Sequence, residues 1–131
     1  MYNQKVLDIF VNPRNAGGLQ GSNGIGKAST LSGSDVIKLY FKIDEAEVVS
    51  EAKFKTYGCV GAIVCSSVVT ELVINKTVEE VLSITANDII EVLGGLPDEK
   101  IYCANLAEEA IKNTIQEYYK KKEKEEKQKA E

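Results

Sequence analysis

Asp35-Val36-Ile37-Lys38-Leu39-Tyr40-Phe41-Lys42-Ile43, then the turn residues 44–47, then Ser50-Glu51-Ala52-Lys53-Phe54-Lys55, is the stretch that decides the fold. Ile37, Leu39, Phe41 and Ile43 alternate with Val36, Lys38, Tyr40 and Lys42, a period of two that fits a half-buried strand. Ser50, Ala52 and Phe54 alternate in the same way with Glu51, Lys53 and Lys55. The two runs therefore form an antiparallel hairpin. Beyond it the period changes. Between Ala62 and Val73, the residues Val64, Val68, Val69, Leu72 and Val73 fall on one face of a helix starting near Gly61.

Working outward, Val6, Leu7, Phe10 and Val11 have helical spacing and run into Asn12-Pro13, where a helix must end. The segment from Ala16 to Gly33 holds six of the ten glycines and few large apolar residues, so it reads as a mobile loop or a loosely paired strand. Thr77 with Glu80 has capping-box spacing and opens a short helix to Leu82; a second helix covers Asn87 to Leu93 and ends at Gly94-Gly95. Gly94-Gly95 and Pro97 then read as a turn from helix to strand. Asn105 and Glu108 repeat the box spacing before the stripe Ala107, Ile111, Ile115, Tyr118 of a last, long helix. From Lys120 to Glu131 there is no large apolar residue, which suggests a solvated extension or frayed tail. The expected class is α+β, a small antiparallel sheet packed against several helices, with one domain over 1–121 and a charged extension over 122–131.

Composition narrows the function. At 131 residues, 44% hydrophobic and 27% charged, the chain has enough apolar surface to fold as one domain. A formal charge of -4 offers no field that would draw it to nucleic acid or anionic lipid. No apolar run approaches the ~18 residues of a membrane span, and the N-terminus has no signal-peptide core; a cytoplasmic location is the expectation. Histidine is absent, which removes Ser-His and Cys-His catalysis and every imidazole ligand.

Chemistry is left to three cysteines, an odd number that does not read as a disulfide framework; the spacing of Cys59, Cys65 and Cys103 matches no common zinc pattern. Cys59 lies where the hairpin meets the next helix, and Cys103 lies two residues before the presumed cap Asn105. Backbone amides at such helix starts favour thiolates and anionic sulfur clusters. Cys65 is turned from Cys59 by roughly 240° if helical and has Val68, Val69 and Leu72 as neighbours, so it reads as a buried structural thiol.

Four ordered motifs carry a family resemblance. Tyr2-Asn3-Gln4-Lys5-Val6-Leu7-Asp8 with Asn12-Pro13-Arg14-Asn15, then Ser34-Asp35-Val36-Ile37-Lys38-Leu39, then Phe54-Lys55-Thr56-Tyr57-Gly58-Cys59, then Lys100-Ile101-Tyr102-Cys103 together resemble the IscU/NifU family of iron–sulfur cluster scaffolds, over roughly Tyr2 to Lys121. The resemblance implies that family's fold, similar to the SufE architecture. It implies a scaffold or carrier rather than an enzyme, which binds iron and accepts sulfur from a cysteine desulfurase and delivers a [2Fe–2S] cluster to apo-protein acceptors. It implies cluster or metal ligands at Asp35, Cys59 and Cys103, with zinc able to fill the metal-free site. The family's first cysteine falls on Gly33 and its histidine on Tyr102, so a further ligand would have to come from Tyr102, Cys65, a small thiol or a second subunit in a homodimer. Without one, the resemblance implies a persulfide acceptor or desulfurase-binding regulator. Leu96-Pro97-Asp98-Glu99-Lys100 resembles the family's chaperone site with two acids at its centre, so binding to an Hsp70-type chaperone is expected to be weak or absent.

Overall fold

A computed structural model describes residues 1–130. The elements follow as α1 (Gln4–Val11), β1 (Gly24–Ser29), β2 (Val36–Ile43), β3 (Val49–Tyr57), α2 (Val60–Val73), α3 (Val78–Leu82), α4 (Ala86–Leu93), a 3₁₀ turn (Asp98–Lys100) and α5 (Ile101–Ala130). The strands form one antiparallel sheet in the order β1-β2-β3. This is the expected α+β class, and the hairpin lies where the alternation put it, with Leu39 opposite Phe54 and Phe41 opposite Ala52.

Burial explains the layering. Ile37, Leu39 and Phe41 of β2 and Ala52 and Phe54 of β3 turn into the core. They meet α2 there, a helix apolar on nearly every side, with ten of its residues buried from Gly61 to Val73. Such a helix has almost no solvent face, Glu71 being its one exposed residue. It is enclosed by the sheet, α1, α4 and α5. Its buried hydroxyls are all used inside. Ser66 Oγ donates to Ala62 O (2.7 Å) and meets Thr56 Oγ1 (2.6 Å), Thr70 Oγ1 donates to Ser67 O (2.7 Å), and Ser67 Oγ exchanges two bonds with the Arg14 backbone. Asn15 Nδ2 donates to Thr70 Oγ1 at 3.1 Å. The Asn12–Asn15 turn is thereby fixed to α2, and Asn3 caps α1 through Val6 N–H while its amide reaches Leu93 O.

The glycine-rich stretch is the first correction. It contains β1, paired with β2 in unbroken register from Gly24 opposite Phe41 to Ser29 opposite Val36. Its glycines answer a close approach. A Cβ on Gly26 would lie 2.5 Å from Thr114 N and 2.6 Å from Thr114 Cα in α5. The helix crosses the strand too closely at Gly26 for any side chain, so the positions that face the core, Gly24, Gly26 and Ala28, carry no large apolar residue for a pattern to register.

The second correction concerns the region before Cys103. Gly94, in the left-handed conformation, ends α4 as expected, but the chain then turns from helix to helix. Pro97 caps the 3₁₀ turn, Asp98 and Glu99 occupy its first residues, and α5 continues from Ile101. Acids after a proline are a helix-start signature, favoured by the dipole. Asn105 is therefore inside α5 and caps nothing; Glu108 instead accepts from Ala86 N–H at 2.9 Å. The start of α4 is set by a capping box of Thr85 and Asp88, while the box of Thr77 and Glu80 lies where it was expected. The charged run from Lys120 is helical through Ala130, and Lys122 Nζ pairs with Glu47 Oε1 at 2.6 Å; Glu131 lies outside the described residues. No described helix is long and apolar enough to cross a membrane.

Gly26→Ala is expected to destabilise the fold by about 3 kcal/mol, because backbone on both sides must move. Gly24→Ala, whose Cβ would meet Tyr118 Cβ at 3.4 Å, should cost much less. Urea denaturation of the two variants compares them directly; equal midpoints would show that α5 does not press on β1 at Gly26.

Candidate functional site

Three junctions converge at one end of the sheet. The turn before β2 supplies Asp35, the β3–α2 junction supplies Cys59, and the first turn of α5 supplies Tyr102 and Cys103. Asp35 is only 3% exposed. Its Oδ1 accepts from Cys59 N–H at 2.9 Å and its Oδ2 from the Tyr102 hydroxyl at 2.8 Å. Cys59 Sγ lies 3.6 Å from Cys103 Sγ and 3.7 Å from Tyr102 Oη. The expected residues Asp35, Cys59 and Cys103 thus come together, and Tyr102 joins them. Cys65 does not. It is fully buried in the core and free, and burial pushes its thiol well above the ordinary value.

Cys59 is the N-cap of α2, so its sulfur faces the free amides of a helix start. Burial opposes ionisation there. The Ala62 N–H and the Cys103 thiol outweigh it and lower the Cys59 pKa. Cys103 has the opposite environment: burial, then its contact with Cys59, push it up to about 12. Asp35 is lowered because the Cys59 N–H and Tyr102 hydroxyl bonds exceed the cost of its burial. The phenol is raised, first by its bond to Asp35. Of the two sulfurs Cys59 is therefore the easier to ionise, while Cys103 keeps its proton at neutral pH beside an ionised Asp35 carboxylate.

Two glycines and one tyrosine make this geometry, and the sequence reading assigned them no role in it. Gly58 has φ +142, and a Cβ there would collide with Asp35 Oδ1. A Cβ on Gly61 would lie 2.9 Å from Cys103 Sγ and 3.4 Å from Tyr2 Oη. Tyr2 Oη accepts from Gly61 N–H at 3.2 Å, so a residue near the N-terminus closes the amide end of α2. The available signal was a glycine on each side of Cys59, one next to it and one two residues on. Gly33 lies in the turn after β1, its N–H donating to Thr30 O at 3.0 Å, with φ +76 and nothing within 4 Å of a Cβ.

Two adjacent sulfurs and an ionised carboxylate at a helix start suit a soft cation or a sulfane sulfur. Among the described residues, however, no group of three His, Cys, Asp or Glu side chains is arranged to hold a metal ion. Both Asp35 oxygens are engaged, one by the Cys59 N–H and one by the Tyr102 hydroxyl.

A small sheet with a thiol pair and a buried carboxylate at the strand–helix junction defines a class of cysteine-based carrier domains. The comparisons give the family. The chain matches the NifU-like N terminal domain over residues 1–125, and it belongs to that family. It is 43% identical over 121 residues to the iron–sulfur cluster assembly scaffold protein IscU of Aquifex aeolicus, covering 92% of this chain and 77% of that one. To the IscU of Escherichia coli it is 42% identical over 125 residues, covering 93% and 97%. A crystal structure from Fervidobacterium islandicum, described as a scaffold for the SUF system, shares the fold with a TM-score of 0.70 at 20% identity, over 87% of this chain and 96% of that one.

Limiting iodoacetamide should label Cys59 first, with Cys103 and Cys65 following only on unfolding. Because the Cys59 pKa is lowered, its labelling rate should reach half-maximum at a pH below the ordinary cysteine value of 9.0. Peptide mapping across a pH series reads both, and prior labelling of Cys103 would reverse the assignment.

Proposed function

We propose that this chain is an iron–sulfur cluster assembly scaffold or carrier, with iron and sulfur as its cargo at Asp35, Cys59 and Cys103. The observation that carries the reading is the 3.6 Å approach of the Cys59 and Cys103 sulfurs beside a carboxylate bonded to the Cys59 amide. Two sulfurs that close can share one cation, and the α2 amides and a thiolate-stabilising environment suit anionic sulfide. Cys65 is assigned to packing. In this reading the sulfur comes from a cysteine desulfurase, a [2Fe–2S] unit goes to apo-protein acceptors, zinc can take the site instead of iron, and the setting is cytoplasmic. Residues 1–121 are the working unit and 122–131 are dispensable; a homodimer would place four cysteine sulfurs around one cluster. Binding of an Hsp70-type chaperone is weak, since Asp98 and Glu99 are committed to starting α5.

The engagement of both Asp35 oxygens favours a second reading: a persulfide acceptor or desulfurase-binding regulator that holds no stable cluster. Anaerobic reconstitution with iron, sulfide and reductant separates the two. The scaffold reading expects visible sulfide-to-iron absorption, lost in Cys59→Ser or Cys103→Ser and kept in Cys65→Ser, which should instead lose about 1–3 kcal/mol of stability. Gly33→Cys with Tyr102→His should raise yield and lifetime. The new cysteine has room, though left-handed φ costs it about 1–2 kcal/mol. A colourless protein that still accepts sulfur on cysteine from a desulfurase would select the second reading.

A further inference from the structure

The two bonds that hold Asp35 are not equivalent. Oδ1 is held by the Cys59 amide, a backbone donor at the N-cap of α2, so this bond opens only if the main chain moves. Oδ2 is held by a side chain. Tyr102 stands on the first turn of α5, is 38% exposed, and has Lys100 Nζ at 5.8 Å from its ring centroid. Its ring can leave by rotation of one side chain. The hydroxyl reaches both groups that a cation would need, at 2.8 Å from Asp35 Oδ2 and 3.7 Å from Cys59 Sγ. It has one proton, and the shorter contact holds it.

We propose that Tyr102 is a latch on the cargo site: its hydroxyl occupies the one Asp35 oxygen that a cation bound to the Cys59 and Cys103 sulfurs could use, and metal enters by displacing it. This rests on the scaffold reading of the site and adds how access to it is governed. Asp35, Cys59 and Cys103 lie together yet form no ready three-ligand group among the described residues, so side chains must rearrange for a cation to enter. The latch gives the phenol a use other than ligation, for which a group with an ordinary pKa near 10 is poorly suited at neutral pH. In the closed state the buried carboxylate is satisfied twice, so the metal-free protein carries no unpaired charge in its interior. In the open state a cation takes over one of those two partners. The exchange costs one charge-assisted hydrogen bond, and affinity is lowered by that amount.

A latch and a ligand predict opposite effects of removing the hydroxyl. The test is anaerobic titration of the full-length protein with Co²⁺, read by thiolate-to-cobalt charge-transfer absorption, for the unmodified chain, Tyr102→Phe, Tyr102→Leu and Cys59→Ser. Circular dichroism of each establishes the fold. Tyr102→Phe should bind Co²⁺ about tenfold more tightly, the equivalent of one net hydrogen bond, with the thiolate band unchanged in position. Tyr102→Leu should tighten binding in the same direction, and it decides the matter if the Phe variant does not fold. Equal or weaker binding in both overturns the latch, weaker binding marking the phenol as a ligand. If Cys59→Ser keeps the thiolate band at full intensity, the site reading itself is wrong, whatever Tyr102 does.

Discussion

The carboxylate of Asp35 is the constraint on which the site and much of its surroundings depend. An ionised group that is 97% out of solvent must be paired in place, and its two partners come from different parts of the chain. The Cys59 amide ties the start of β2 to the start of α2. The Tyr102 hydroxyl ties both to the start of α5. Three element boundaries are thus registered to one another by two hydrogen bonds, and both sulfurs are positioned as a consequence. Removing the carboxylate would leave the hydroxyl and the amide to find other partners and would release the β3–α2 junction from the strand beside it.

Close approach is the second constraint, and it explains why the glycines sit where they do. Gly58 makes room for Asp35, Gly61 for the Cys103 sulfur, and Gly26 for the backbone of α5. Each lets a neighbouring group come closer than a side chain at that position would permit. The first two build the site; the third seats the helix that carries Tyr102 and Cys103 against the sheet. A helix set further from β1 would carry both side chains with it, so packing at Gly26 and chemistry at Cys103 are linked through one rigid element.

This also accounts for what was legible in the sequence. β2 and β3 were readable because their apolar side chains repeat at two residues, α2 because a long apolar run breaks that period, and the Thr77 box because its partners are local. β1 was not, since its inward positions are Gly24, Gly26 and Ala28, whose absence of bulk is the signal. The start of α5 was missed because Asn105 and Glu108 imitate a cap, whereas Pro97-Asp98-Glu99 provides one. In the site, Cys59, Cys103 and Asp35 were found through motifs spread over the chain. Tyr2 was not, because its hydroxyl acts on Gly61, 59 residues away, and no local pattern encodes that pairing.

The thiol pair carries a final consequence. Two thiolates 3.6 Å apart would repel by about 4–5 kcal/mol at an effective dielectric constant near 20. The structure avoids this by giving the sulfurs opposite surroundings: helix amides and donors at Cys59, full burial at Cys103. Cys103 therefore keeps its proton in the metal-free site. A cation that uses both must expel that proton, and its charge then replaces the proton in holding the sulfurs together. For any cation that takes both sulfurs, binding and proton release are coupled in the same few ångströms, and the coupling follows from where α2 and α5 begin.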